Sequence, residues 1–188
     1  MKTNKLVLIG ILIIAFAAMI APVMADTTTI TGNPQKAISI TVHNGISNWV
    51  LIPSTDNADT SSVTLDVTSN EPAWSVSVKD ALDGAKPAGS EGKMVDYLTT
   101  GPGPYGTLAL GSAMKVQGDT TQPTKFTGTE KTLSGSDQAI DAGLDTTASA
   151  GQFLGTPLKF TQTVSATDPV LLTNHVYRIV ITFTGATN

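Results

Sequence analysis

With 188 residues, 11 basic against 15 acidic side chains and a net charge of −4, the chain has the size of one domain and no basic excess for holding nucleic acid. The absence of cysteine excludes disulfides, thiol nucleophiles and Cys-ligated zinc. Only 14% of the residues are charged, well under the typical value of about 25%, and Thr, Ser and Gly fill the gap, as on hydroxyl-covered strands.

Lys2 and Lys5 precede an apolar run from Leu6 to Ile20, and Val23-Met24-Ala25 supplies small residues for a peptidase. This layout predicts a secretory signal peptide, an apolar helix over residues 1–25, followed by a mature domain over 26–188. From Leu6 to Ala25 the stretch is also about the length of a membrane span, roughly 20 apolar residues. An uncleaved leader is therefore the alternative, and the one expected route to a membrane. A pilin-type leader, cut ahead of the run, ranks below both because no processing site stands there. Cleavage removes two lysines and no acid, so the exported chain is more acidic than the full sequence.

Asp26 then opens a Thr-rich, β-prone segment. Thr28, Thr29, Ile30 and Thr31 form a candidate assembly strand, free at the new N-terminus to pair with a sheet edge of a neighbouring copy. An ordinary edge strand of its own domain is the commoner arrangement. After the Asn33-Pro34 turn, Ile38, Ile40 and Val42 alternate with polar residues. Asn44-Gly45 predicts a tight hairpin joining residues 38–42 to 46–52. Trp49 lies in the second arm. It is a candidate ligand-binding platform for sugars, weighed against the commoner fate of a large aromatic in the core. Asp56, Asn57 and Asp59 offer hard oxygens of the kind calcium takes. One short segment falls short of six to eight ligands, so a solvated loop with no cofactor is the default and calcium the alternative.

Val63, Leu65 and Val67 alternate, as do Trp74, Val76 and Val78. The turn at Asn70-Glu71-Pro72 predicts that these two strands pair, with Trp74 in the core against a C-terminal aromatic. Residues 80–155 read as a loop-rich elaboration, with strands at 105–110 and 114–117 and one helical turn over 136–144, capped by Asp137 and ended by Gly143. Near the end, Leu158, Phe160 and Val164 share one face, interrupted by Gln162. Tyr177, Ile179, Ile181 and Phe183 share another. Many short strands with dense turns predict an all-β fold, an immunoglobulin-like antiparallel β-sandwich.

No catalytic motif stands out. His43 and His175 lie in no recognisable triad, and there is no Gly-x-Ser-x-Gly, phosphate-binding loop or Asn-x-Ser/Thr sequon.

Trp49-Val50-Leu51 has the form Trp-x-Leu. Tyr177-Arg178-Ile179-Val180-Ile181-Thr182-Phe183-Thr184 has the form Tyr-x-x-x-(Leu/Ile)-Thr-aromatic-Thr. Together these resemble the WxL-type surface domains, and the pattern is similar to that of secreted β-sandwich proteins of methanogenic archaea. The resemblance implies an exported β-rich module at the cell wall, and a role in the extracellular matrix or adhesion is a separate expectation. Phe183 stands where the family has its second Trp, and Gly185 is expected to end the strand early. Peptidoglycan binding is therefore not implied. The expected function is that of a non-catalytic, secreted or cell-surface structural protein, with cell-envelope components or copies of itself as partners. A carbohydrate- or cell-wall-binding module is the alternative, and a secreted hydrolase a remote one.

Overall fold

The computed structural model describes residues 29, 31–84, 86–100, 104–118, 129–142 and 151–187. The signal-peptide reading of 1–25 falls outside them, as do Thr28 and Ile30 of the candidate assembly strand. Thr29 and Thr31 are exposed and lie in no strand.

Thirteen strands are described and no helix: β1 (Ile38–His43), β2 (Thr55–Asp59), β3 (Thr64–Ser69), β4 (Trp74–Asp80), β5 (Val95–Leu98), β6 (Tyr105–Ala109), β7 (Lys115–Gln117), β8 (Lys131–Thr132), β9 (Gln138–Ala142), β10 (Gly151–Pro157), β11 (Lys159–Val164), β12 (His175–Arg178) and β13 (Ile181–Thr187). All belong to the unit Gln35–Asn188. They form four antiparallel sheets, ordered β1-β3-β10, β2-β11-β7-β8, β12-β5-β6 and β13-β4-β9. The fold is all-β and sandwich-like.

Two junctions link the sheets. Only Leu158 separates β10 from β11, and its N–H donates to the Val63 carbonyl at 3.0 Å. The first two sheets therefore continue into one another. On the other side Ala81 N–H donates to Val180 O between β12 and β13, at 2.9 Å. The layers face each other through alternating strands. Leu65 and Val67 of β3, and Trp74, Val76 and Val78 of β4, are all buried. The Trp74 ring meets Phe153 of β10 at 5.6 Å, so the aromatic opposite Trp74 comes from β10. Burying such faces is the main favourable term in folding a sandwich.

The period-two pattern is borne out in β3 and β4, but their partners differ from expectation. β3 pairs with β1 and β10, whereas β4 pairs with β13 and β9. The Asn70 turn thus carries the chain from one layer to the other, pinned by Ala37 N–H donating to Asn70 Oδ1 at 2.6 Å. The predicted helical turn over 136–144 is corrected in its described part. Residues 138–142 are strand β9, whose Ile140 is fully buried. Tertiary burial of that one apolar side chain overrides weak local helix signals. Residues 151–155, read as part of the loop-rich elaboration, belong to strand β10. Gly185 does not end its strand. It pairs with Val76 inside β13, and a Cβ there would lie 3.0 Å from Ile40 and 3.1 Å from Ile38. Glycine lets β1 and β13 approach across the layers.

Asp80 continues the buried phase of β4 and is only 2% exposed. Its burial is compensated by Lys86, whose ammonium donates to Asp80 Oδ2 and to the Lys93 carbonyl, with both side chains of the ion pair fully enclosed. Leu82 N–H and Gly92 N–H complete the carboxylate's bonds at 3.1 and 2.8 Å. The 80–93 segment, apolar-poor in sequence, is therefore organised by one buried ion pair. Gly92 has φ +76°, and a Cβ there would overlap the Leu133 carbonyl, so only glycine fits this close approach.

Candidate functional site

The half-buried strand faces gather around one opening. Ile40 and Val42 of β1 flank it, with Ile181 and Phe183 of β13 opposite and Tyr177 and Ile179 beside them. Sequence alone predicts these faces to be buried. They remain half-buried because they line an apolar groove of about 1090 Å³. Its floor reaches core residues Met94, Leu110, Met114 and Phe160.

One wall is the loop 44–53. Asn44 has positive φ, as its Asn-Gly context predicts, but residues 46–52 form no strand and the hairpin is absent. Asn48 and Ser54 also adopt positive φ, so the chain arcs instead of returning along β1. Ile46, Trp49 and Leu51 then pack on the core, a spacing incompatible with strand alternation. Trp49 is half-buried and lines the groove.

Asn57 ties down the end of that loop. Its Oδ1 accepts from Ile52 N–H at 2.7 Å, while Nδ2 donates to the carbonyls of Ile52 and Gln162 at 3.1 and 3.2 Å. The acidic cluster is a strand, not a solvated loop: it forms β2 against β11. Its side chains diverge. Asn57 points inward and is buried, Asp56 is exposed and accepts from the Thr163 hydroxyl at 2.5 Å, and Asp59 turns the chain by accepting from Ser61 and Ser62. The three calcium candidates are not brought together by this arrangement. Among the described residues no three His, Asp or Glu side chains gather as a metal-holding group. Asn57→Ala strips these bonds from the partly buried Ile52 backbone and the buried Gln162 carbonyl. It should lower stability by about 1–3 kcal/mol and shift Trp49 emission to the red as the wall loosens. An unchanged spectrum and urea midpoint would contradict Asn57's role as the pin.

Asp59 also predicts a pH effect. Burial acts to raise its carboxyl, but bonds from the Ser62 hydroxyl, the Ser62 N–H and the Ser61 N–H outweigh it and hold it below its ordinary value. A carboxyl lowered by folding contributes stability above its unfolded pKa, about 3.9, and loses it as pH falls through the folded value. Asp59→Asn should therefore lower the urea midpoint near neutral pH, with a deficit that shrinks in acid. A deficit constant with pH would mean the charge is irrelevant.

The facing wall is the segment 165–174. Asp168 holds it by accepting from Ser165 N–H at 2.7 Å and Gly111 N–H at 2.8 Å. The Tyr177 hydroxyl donates to Pro169 O at 2.6 Å, and burial, then Asp168 and Asp96, push that phenol's pKa up. His175 Nδ1 bonds Asp96 Oδ1 at 2.6 Å, and Arg178 pairs with Asp83 at 3.1 Å while lying 4.3 Å from the Tyr97 ring centre. The charged groups on the groove are thus already partnered by the fold. The other histidine, His43, bonds Asp66 at 2.7 Å on the exposed side of β1. First the Gly155 N–H and then His43 lower the Asp66 carboxyl's pKa.

Sequence reasoning singled out Trp49 but missed most of the groove. Its signal was two uncharged stretches, 44–53 and 169–174, of which the second carries Val170, Leu171 and Leu172 in a row without strand alternation. Val50, Ile52, Val170 and Leu172 are exposed on these two loops. Compared with protein-family models the chain matches none, and a search of curated proteins likewise returns no match.

Proposed function

We propose that this chain is a non-catalytic, secreted or cell-surface interaction protein that works in the extracellular matrix or in adhesion, and that the apolar groove is its docking face. The supporting observation is that two loops and two strand faces leave a groove of about 1090 Å³ open to the core, with the exposed Val170 and Val176 on its lining. Apolar surface of this extent on a soluble domain ordinarily marks an interaction site. Its titratable neighbours, Asp168, His175 and Arg178, are engaged in holding the walls, which favours binding over chemistry. The two segments that resemble WxL-type domains supply Trp49, Tyr177 and Phe183 to the same groove. An immunoglobulin-like arrangement belongs to this reading and is supported by the change of layer between β3 and β4. The leader-like N-terminus supports export.

Trp49, half-buried on the groove wall, favours a second reading in which a carbohydrate or cell-wall polymer is the ligand. Binding to purified envelope polysaccharide, lost in Trp49→Ala, would establish it. The primary reading is tested by determining the cellular fraction that holds the protein, together with its N-terminal residue. Recovery at the cell surface or in the medium with Asp26 first is expected. Recovery in the cytosol with the leader intact would overturn it.

A further inference from the structure

Resting on the docking role of the groove, we infer that its occupant is a second copy of this chain, inserted through the loop that carries Val170 and Leu172. Val170 is 93% exposed and Leu172 is 77% exposed, yet the loop bearing them is tied down. Asp168 holds two backbone N–H groups, Tyr177 donates to Pro169 O, and His175 N–H donates to Leu172 O at 3.2 Å. A pre-ordered apolar knob loses little conformational freedom when it docks.

The socket stands beside the knob, since Val170 itself lines the groove. Knob and socket on one face are self-complementary, and a two-fold axis places each knob in the other copy's socket, closing a dimer. Charge favours the same occupant. Residues 44–53 and 169–174 carry no charged side chain. Two acidic copies can therefore meet here through uncharged loops, the Asp168 carboxylate on the lining being engaged by Ser165 N–H and Gly111 N–H. The N-terminal segment 26–31 fits the groove less well, because Ile30 is its sole large apolar residue.

The extent also suffices. Val50, Ile52, Val170 and Leu172 are exposed on each copy, and an aliphatic side chain offers roughly 60–120 Å² of apolar surface to burial. These four side chains on each of two copies, together with the surfaces receiving them, thus reach the scale of about 1,200 Å² at which specific interfaces begin.

The test is sedimentation equilibrium of the purified exported protein, from micromolar to submillimolar concentration. A dimer is expected, with association weakened about tenfold or more in Val170→Asp and in Leu172→Asp. Both sites are exposed, so an unchanged circular-dichroism melt should accompany the loss. The chain contains no cysteine, which permits a direct contact test. Copies carrying Val170→Cys, mixed with copies carrying Ser47→Cys, should form a mixed disulfide dimer on mild oxidation. A monomer at every concentration would overturn the inference, as would a dimer indifferent to both aspartates. A dimer lost on deleting residues 26–31 but not with the aspartates would assign the contact to strand pairing and equally overturn it. A monomeric chain still retained at the cell surface would remove the self-pairing alone and leave the docking role standing.

Discussion

Replacing Lys86 with Met should lower the unfolding free energy by about 3–5 kcal/mol, one of the two largest effects expected of a single substitution here. Asp80 lies in the buried phase of β4, and removing the lysine paired with it takes the counter-charge from an enclosed carboxylate. The backbone donors Leu82 and Gly92 remain, but they cannot replace a full charge. The double variant Asp80→Leu/Lys86→Met removes both charges and should recover part of the loss. Recovery stays incomplete because the buried Gly92 N–H then loses its acceptor, at about 1–3 kcal/mol, and the partly buried Leu82 N–H loses its own. Urea unfolding of the single and double variants measures both effects. A single variant within about 1 kcal/mol of wild type would mean that the pair is solvated and the 80–93 segment is held otherwise.

Trp74→Ala should cost a similar amount, about 3–5 kcal/mol. Trp74 is 2% exposed and fills the space between β4 and β10 against Phe153. The cavity left behind cannot collapse easily, because Val76 and Leu65 are fixed in their own ladders. Trp74→Phe, which keeps most of the ring volume, should lose clearly less. Equal losses for Ala and Phe would show that shape, not volume, decides at this position.

How far the sequence foretold the fold depended on range. Strands with a fully buried face were legible, since Leu65, Val67, Trp74, Val76 and Val78 alternate strictly and two layers bury them. Which strands pair was not legible. β4 pairs with β13, from the far end of the chain, and nothing local encodes that choice. Asn44-Gly45 gave the correct backbone conformation at Asn44 and the wrong consequence, because Ile46, Trp49 and Leu51 gain more by packing on the core than by pairing with β1. The 138–142 segment was misread because one buried residue, Ile140, outweighed its polar neighbours. The groove was legible only as scattered pieces. Trp49 drew notice as an aromatic, Asn57 as a metal ligand, and Tyr177 and Phe183 as a motif. Folding brings Trp49, Tyr177 and Phe183 to one opening, and Asn57 pins the loop that forms its wall.

These pieces give the apolar strand faces of β1 and β13 a use other than sealing the core. They are half-buried because two loops stand apart above them, one fixed by a buried hydrogen bond from Asn57 and the other by a partly buried one from the Tyr177 hydroxyl. A surface that is apolar, pre-ordered and open is suited to receiving a partner.

The central claim, that this groove is the docking face, is tested most directly by amide hydrogen exchange. The chain as recovered in the cell fraction that holds it is compared with the purified protein at high dilution. The account predicts slowed exchange in the cell-derived state at residues 44–53 and 165–176. Unchanged exchange in both segments, with protection confined to other parts of the chain, would contradict it.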